Sequence, residues 1–354
     1  SNGVGRNYDC GEYEAHMRLA MQRAGWDGFA ARAAESASRG CLRGQGLATY
    51  VEACAAGNER GRMELTAGGR VVLYIGTQAN GQGHRTAYAQ IAAGELGMAI
   101  EDIEVVQGDT SRVKTGGGTG GSKSVALGAV IVNQASRRLA DEIRKRAADK
   151  LETATADIEL TGGAARVVGT DRAIGFADIA AAAAVAGEVV EASGAFKVGE
   201  YTYPNGTHIA EVEIDPETGA TSLRSYVAID DFGVSINPML LAGQVHGGIA
   251  QGLGQALLEH TVIDGSTGQL LSGSLMDYAV PRADDLVQIH FETRNVPGRS
   301  NPFGIKGAGE AGTIGACPAI INAVVDALYR HNGTLHIDMP ATPEAIWRAI
   351  HPIS

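Results

Sequence analysis

The stretch that organises the chain is Asn301-Pro302-Phe303-Gly304-Ile305-Lys306-Gly307-Ala308-Gly309-Glu310-Ala311-Gly312-Thr313, which holds one carboxylate in a glycine-rich loop. An apolar run over residues 314–328 follows it and predicts a helix. Glycines let the backbone approach a ligand closely, and a helix N-terminus offers free N–H groups to an anion. Glu310 would face a bound anionic group, so we expect it to transfer a proton and not to neutralise charge.

Residues 307–312 also match the pattern G-x-G-x-x-G of dinucleotide-binding loops. That reading needs a buried strand before the loop and an acidic residue about 20 positions after it, at the end of a second strand. The preceding Asn-Pro-Phe-Gly is a poor strand, and a helix and the turn His331-Asn332-Gly333 follow. A nicotinamide-binding loop is therefore disfavoured, while a purely structural glycine turn stays open.

Composition limits the classes of protein to consider. The chain has 354 residues, of which 44% are hydrophobic and 19% charged, as in a globular protein of one large or two ordinary domains. Its 49 glycines indicate many turns or close approaches to a ligand. The net charge is −11 with no basic run, which argues against nucleic-acid binding. We expect no membrane span, because no apolar stretch looks long and uncharged enough.

The cysteines and the chain start point to an intracellular setting. Cys10, Cys41, Cys54 and Cys317 are scattered without a C-x-x-C pair, so neither an iron–sulfur nor a zinc framework is visible. We therefore expect a reduced, cytoplasmic protein. The chain begins Ser1-Asn2-Gly3 without methionine, which predicts that it is part of a larger polypeptide.

Hydrophobic periodicity and turn signals predict an α+β fold. Helices are expected over residues 13–38 with a break at 25–28, over 85–96, after Ser124, around 243–248, over 314–328, and from a Thr342-Pro343 cap to residue 350. Strands are expected over residues 44–53, 70–76, 103–106, 208–214, 222–229 and 286–293, with hairpin-like structure over 157–200. We expect residues 1–60 to form connector helices and an entry strand. Residues 61–354 would form two lobes that meet near Gly187.

Four glycine-rich loops, near residues 81, 118, 245 and 309, are the candidate binding elements, and at least three of them open predicted helices. Successive N–H groups in such loops cradle anions. Glutamine and asparagine nearby both donate and accept hydrogen bonds, as a pterin edge requires. Together these features indicate a large ligand that carries phosphates and a heteroaromatic edge. No phosphate-binding P-loop sequence occurs.

Two of these segments, Gly81-Gln82-Gly83-His84 and Gly243-Gln244-Val245-His246, share the pattern G-Q-x-H, by chance or because two related lobes face one cleft. Their histidines, His84 and His246, are candidate neighbours of the ligand. Three other histidines, His208, His290 and His336, occupy predicted strand positions, where a structural role is the simpler reading. The pair Asp230 and Asp231 is more simply read as loop hydrogen-bonding groups than as catalysts.

The order of these segments resembles the molybdenum hydroxylases, the xanthine oxidase family that includes aldehyde oxidoreductase and aerobic carbon monoxide dehydrogenase. The resemblance spans about residues 8–350. The segments that carry it are Gly81-Gln82-Gly83-His84, Gly118-Thr119-Gly120-Gly121-Ser122-Lys123-Ser124, Asn237-Pro238, Gly243-Gln244-Val245-His246-Gly247-Gly248, Lys306-Gly307-Ala308-Gly309-Glu310 and Pro340-Ala341-Thr342-Pro343-Glu344.

The resemblance implies a two-lobed molybdopterin-binding domain with mixed β-sheets flanked by helices, in which Glu310 is the catalytic base. The bound group would be molybdenum–molybdopterin in its cytosine dinucleotide form, with no metal ligand from this chain. Lys123 stands where the family usually has arginine, which weakens the expected phosphate contact because only arginine binds phosphate bidentately. The implied cofactor-binding residues are Gln82, Gly83, His84, Gly118, Thr119, Gly120, Ser122, Lys123, Ser124, Asn237, Gln244, Lys306, Gly307 and Gly309.

The resemblance also implies partners. The family's large subunit has a first half, with another molybdenum loop and most of the substrate pocket, for which this chain has no counterpart. A 2Fe-2S subunit and an FAD subunit would carry the electrons away within a larger oligomer. The implied reaction is oxidative hydroxylation of an aldehyde, an N-heterocycle or a CO-like substrate. The alternatives are a non-catalytic half-subunit and, less favoured, a nicotinamide-dependent dehydrogenase.

Overall fold

A computed structural model describes residues 5–55 and 57–352, so the Ser1-Asn2-Gly3 start lies outside the described residues. The chain divides into two compact units. The first unit comprises Ser1–Glu52, Tyr203–Val296 and Ala308–Ser354, and the second comprises Ala53–Thr202 and Pro297–Gly307. The organising stretch thus passes from the second unit to the first between Gly307 and Ala308.

Helices and mixed sheets alternate along the chain, which confirms the predicted α+β class. The α-helices are α1 (Tyr13–Arg23), α2 (Phe29–Ser38), α3 (His84–Leu96), α4 (Ser124–Leu151), α5 (Phe176–Val185), α6 (Pro238–Leu257), α7 (Ala311–Asn332) and α8 (Pro343–Ile350). The strands are β1 (Leu42–Val51), β2 (Asn58–Leu65), β3 (Val71–Ile75), β4 (Ile103–Val106), β5 (Ile158–Thr161), β6 (Ala164–Val167), β7 (Ala173–Gly175), β8 (Val190–Lys197), β9 (Asn205–Ile214), β10 (Thr221–Asp231) and β11 (Ile289–Thr293). Short 3-10 turns occupy Trp26–Gly28, Ile100–Asp102, Thr155–Asp157 and Ala283–Asp285.

The first unit is built on a sheet of order β1-β9-β10-β11, antiparallel except for the β10–β11 pair. One face of this sheet is covered by α7, which lies unusually close to β1. A Cβ added at Gly44 or Gly46 would overlap carbonyl oxygens of α7, so only glycine permits this approach. Helix α6 packs beside α7 and completes the core.

The other face of the sheet carries α1 and α2. His16 and Ala20, four residues apart on α1, are both buried. The buried Glu211 carboxylate of β9 accepts hydrogen bonds from Arg43 of β1, at 2.7 Å, and from Arg32 of α2. The first helices and entry strand therefore belong to the first unit. This grouping divides the chain differently from the predicted connector (1–60) and lobes (61–187 and 188–354), and those boundaries stay a prediction.

The second unit holds a sheet of order β4-β3-β2-β8 and a small antiparallel sheet, β5-β6-β7. Helices α3 and α4 pack on the larger sheet. The helix expected after Ser124 is confirmed as α4, and every fourth residue along one stripe is fully buried: Ile131, Ala135, Leu139, Ile143 and Ala147. Strand β2 was not predicted, since its sequence Asn-Glu-Arg-Gly-Arg-Met-Glu-Leu is rich in charge.

Two expectations need correction. His336 lies outside any strand, in the irregular segment before α8. Helix α7 is long and apolar enough to cross a membrane by length and composition, with a window of mean hydropathy 1.5, against the expectation that no such stretch exists. Most of that window (61%) is buried within the chain, since α7 packs on β1 and α6. A core helix passes the same compositional test as a membrane span.

Candidate functional site

Two of the predicted glycine loops adjoin in the second unit, and Tyr88 links them. The loop 81–83 leads into α3, and the loop 116–123 leads into α4. The Tyr88 hydroxyl of α3 donates to the Ser124 carbonyl at the start of α4, at 2.8 Å, and the His84 ring stacks on the Tyr88 ring at 5.5 Å. Burial raises the pKa of Tyr88, so it keeps this proton and fixes the two helix starts together.

The base of the second loop is a crossing of two glycines. A Cβ on Gly76 would overlap Gly116, and one on Gly116 would overlap Gly76. The amide N–H of Gly118 donates to the Gly76 carbonyl at 3.1 Å. The buried Glu59 carboxylate accepts from the Gly117 N–H at 3.4 Å. Neither Gly76 nor Glu59 was among the sequence-predicted residues, because their role is to hold the loop.

Beyond this crossing the loop opens. A Cβ added at Gly118, Gly120 or Gly121 would meet no atom within 4 Å. Gly118 and Gly121 have φ of 65° and 56°, and Ser122, which is not a glycine, has φ of 49°. A left-handed backbone at a non-glycine residue is strained and typical of ligand sites. The Gly-rich loop therefore presents open main chain, as an anion cradle requires.

The segment that ends in Lys306 and Gly307 packs against this loop within the same unit. A Cβ on Gly307 would lie 2.6 Å from the Ser122 carbonyl oxygen and 2.7 Å from Cys54 Cβ, so glycine is required there. The Gly307 N–H donates to the Thr202 hydroxyl at 3.2 Å. Lys306 itself is buried, with 2% of its surface exposed. The structure thus brings residues 118–124 and 306–307 together, with Cys54 and Thr202 as supports that no sequence motif marked.

Asn301 shapes the approach to Lys306. Its side-chain nitrogen donates to the Ile305 carbonyl at 2.7 Å, and its side-chain oxygen accepts from the Phe303 and Ile305 amides. Gly304, with φ of 67°, closes the turn. The Asn-Pro-Phe-Gly sequence is a tight turn, in agreement with the prediction that it is not a strand.

Several predicted polar contacts are occupied within the chain. The Gln82 amide donates to the Gln78 carbonyl and accepts from the Asn80 N–H, closing its own loop. The Thr119 and Ser124 hydroxyls hydrogen-bond each other. Asn237 caps α6 by accepting from the Leu240 amide at 3.0 Å. These side chains shape the loops, so main-chain groups offer the open contacts.

Lys123 and His84 contribute polar atoms in the second unit. The Lys123 ammonium lies 3.3 Å from the Cβ position of Gly117, beside the open loop. His84 is buried, and its Nδ1 has no hydrogen-bond partner in the described chain. Burial lowers the pKa of His84 to about 4, so its ring is neutral near pH 7.

The low pKa of His84 predicts acid sensitivity. The unfolded chain binds a proton at this histidine below pH 6.5, whereas the folded chain resists until about pH 4. Stability is therefore full above pH 6.5 and falls between pH 6.5 and 4, by up to about 2 kcal/mol at pH 5. Urea unfolding measured at pH 7.5 and 5.0 gives the free energy of unfolding at each pH. Its decrease at pH 5.0 should be about 2 kcal/mol smaller in His84→Phe than in the parent. The same change at exposed His260 is the control, and an unchanged acid loss in His84→Phe contradicts the prediction.

In the first unit, Glu310 directly precedes α7 and is exposed. Helices α6 and α7 touch through glycine, since a Cβ on Gly248 or Gly312 would lie 2.9 Å or less from the other helix. Thr313 donates to the Gly248 carbonyl at 3.0 Å. Gln244 lies one turn before Gly248 on α6, and Glu310 lies two residues before Gly312 at the start of α7, so both precede the contact between the two helices.

The segment 243–248 lies inside α6, which confirms the helix expected there, and its interpretation as one of the four glycine-rich loops is wrong. Its glycines face α7 or open space. They lie within the helix and do not form a loop at a helix N-terminus that could bind an anion. His246 accordingly lies on a helix, where its ring meets the Phe291 ring edge-on at 6.1 Å. The repeated pattern G-Q-x-H therefore occupies two different local structures.

Three of the residues predicted to be structural, His208, Asp230 and Asp231, are buried in the sheet of the first unit. His208 contacts the Tyr226 hydroxyl at 2.8 Å and the Asp230 carboxylate at 3.2 Å. Asp230 and Asp231 end β10 and do not lie in a loop. Asp231 accepts from the Gly233 and Val296 amides, which supports the hydrogen-bonding role.

Comparison with known proteins gives one family. The sequence profile of the molybdopterin cofactor-binding domain matches residues 19–287. The carbon monoxide dehydrogenase large chain of Hydrogenophaga pseudoflava is 35% identical over an alignment 371 positions long, which covers 98% of this chain and 46% of that protein.

Solved structures agree. A CO dehydrogenase from Oligotropha carboxidovorans superposes with a TM-score of 0.83 and 30% identity, covering 98% of this chain and 46% of that one. Quinoline 2-oxidoreductase from Pseudomonas putida 86 gives a TM-score of 0.80 and 32% identity, covering 97% and 46%. The chain therefore spans about half the length of the relatives it matches.

Proposed function

The chain belongs to the molybdopterin cofactor-binding domain family, and from that premise we propose that it forms the C-terminal, cofactor-binding part of the large subunit of a molybdenum hydroxylase. The enzyme would be an oxidoreductase of the xanthine dehydrogenase and CO dehydrogenase type. The observation that carries this proposal is the open glycine loop 118–121, held against residues 306–307 in the second unit.

The residues of the second unit fit a phosphate-bearing cofactor. Open main chain at Gly120 and Gly121 offers N–H donors, and the Lys123 ammonium stands beside the same loop. The partnerless Nδ1 of His84 offers one further polar atom. These residues, with Lys306 and Gly307, would hold the molybdenum–molybdopterin group, which supplies the redox centre when bound. We propose that the bound form is the cytosine dinucleotide, because the second unit offers several groups that can bind phosphate.

Glu310 would supply the proton acceptor. The residue is exposed at the start of α7, in the glycine-rich sequence Gly309-Glu310-Ala311-Gly312. A base positioned by a rigid helix end accepts a proton without reorganising. We propose that Glu310 removes the proton of the oxygen nucleophile as the substrate is hydroxylated. Gln244, which also precedes the contact between the two helices, would help to orient the cofactor edge through its amide.

The partners follow from length and from what the chain contains. The relatives are about twice as long as this chain, so we propose that the first half of the large subunit completes the site. A 2Fe-2S subunit and an FAD subunit would accept electrons in a cytoplasmic oligomer. Two of the relatives are named for carbon monoxide and for quinoline. These names support a small uncharged substrate such as an N-heterocycle, an aldehyde or a CO-like molecule.

The test is to produce the chain alone and together with the first half of a large subunit of this family. Alone, it should hold less than about a tenth of an equivalent of molybdenum and show no aldehyde or N-heterocycle oxidation. Together, the two halves should approach one equivalent and release CMP on acid hydrolysis. Stoichiometric molybdenum and turnover in the chain alone would contradict the need for the first half.

The same experiment separates the rival function. A non-catalytic half-subunit would assemble with the first half and bind molybdenum, yet show no turnover with any substrate class. Assembly without molybdenum or CMP in either preparation would contradict the proposed function itself.

A further inference from the structure

A second polar site lies in the first unit, at a place that no motif marked. Helix α1 crosses the paired ends of β1 and β9 there and leaves a cleft of 340 Å³. Tyr13 and Met17 of α1 and Val51 of β1 contribute its apolar walls. The cleft involves neither the glycine loops nor Glu310.

Three buried polar atoms in this lining have no hydrogen-bond partner among the described residues: His16 Nδ1, Asn205 Oδ1 and Thr207 Oγ1. Each of these side chains is at most 1% exposed. Asn205 and Thr207 are two residues apart on β9, so both point to the face that α1 covers, and His16 of α1 lines the same cleft. Folded proteins pair nearly all such atoms, because leaving them unsatisfied costs free energy.

All three atoms are able to accept a hydrogen bond. The His16 Nε2 lies 2.8 Å from the Arg294 carbonyl, which only accepts, so Nε2 carries the proton and Nδ1 has a lone pair in the neutral ring. The Asn205 amide nitrogen contacts the Tyr203 carbonyl at 3.2 Å and the Asp231 carboxylate at 3.3 Å. That orientation leaves the Asn205 oxygen as the acceptor. The Thr207 hydroxyl accepts as well as donates.

We propose that this cleft binds a small primary amine with an aromatic or alkyl body. An ammonium group donates three hydrogen bonds, one for each acceptor. A cation is attracted to the face of an aromatic ring, and Tyr13 lines the cleft. Glu14, which also lines it and pairs with Arg18, adds a carboxylate. The volume is near the lower end of the usual range for small-molecule sites, about 300–1,000 Å³, which suits a compact ligand.

Calorimetric titration of the full chain with benzylamine tests the proposal. We expect one saturable site. Benzyl alcohol, which is neutral with one donor, and benzyltrimethylammonium, which is a cation without N–H, should bind at least about tenfold more weakly, because each loses charge-assisted hydrogen bonds. No benzylamine binding, or equal binding of all three probes, would show that the cleft holds water only and would overturn the proposal.

A variant localises the binding. Thr207→Val keeps the shape of the side chain and removes one acceptor, so it should weaken benzylamine binding at least about tenfold. Thr161→Val, at an exposed strand position of the second unit, should change nothing. If Thr207→Val does not fold, the ¹⁵Nδ1 resonance of His16 gives a second readout in the parent chain. It should shift on adding benzylamine and stay fixed with benzyl alcohol, and an unmoved resonance overturns the assignment.

Discussion

Glu310→Gln is expected to lower the turnover of the assembled enzyme by about 10²–10⁴-fold, the usual contribution of a positioned base. The expectation rests on the place of the side chain. It is exposed directly before a buried core helix, in the glycine-rich sequence Gly309-Glu310-Ala311-Gly312. Glutamine keeps the shape and removes the proton acceptor, so the comparison isolates basicity.

The measurement is single-turnover reduction of the metal centre by substrate, at equal molybdenum content. Glu344→Gln is the matched control, because Glu344 is also exposed in the first turn of a helix and pairs only with Arg348 among the ion pairs of the described chain. It should leave the rate unchanged. If Glu310→Gln reduces the centre within a few-fold of the parent, Glu310 is not the base.

Local sequence signals sufficed for much of the fold. The Thr342-Pro343 start of α8 follows from its cap, since the Thr342 hydroxyl accepts from the Ala345 amide. The stripe of α4 follows from its apolar spacing, and the strand β9 from its alternation. These elements depend on interactions between residues close in sequence, which one sequence displays directly.

What the sequence hid depends on contacts distant along the chain. Gly76 and Gly116 cross at 40 residues' separation, and Cys54 meets Gly307 across 253, so no motif marks either. The glycines around Gln244 suggested a loop within the predicted helix, because glycine usually breaks helices, yet here glycine allows α6 to pack on α7. Tertiary packing overrode the local preference in each case.

The second large effect is expected at Gly120, which we expect to line the ligand and not to hold the loop in place. Gly120→Val should lower cofactor occupancy of the assembled enzyme about tenfold or more, since even one lost hydrogen bond to a charged group costs roughly 1.5–3 kcal/mol. It should leave the free energy of unfolding within about 0.5 kcal/mol of the parent. A Cβ at residue 120 meets no atom within 4 Å, so we expect the added side chain to disturb a bound ligand more than the packing of the chain.

Two matched substitutions in the same unit make the result decisive. Gly68→Val, in an open turn between β2 and β3, also meets no atom within 4 Å and should change neither occupancy nor stability. Gly76→Val would overlap the Gly116 backbone and should lose both, with a stability cost of about 3 kcal/mol or more. Occupancy is read as molybdenum per large subunit and stability by urea unfolding of the chain. If Gly120→Val keeps its molybdenum, the loop does not contact the cofactor. If it loses stability as Gly76→Val does, the loop is a packing element and its open main chain has no ligand.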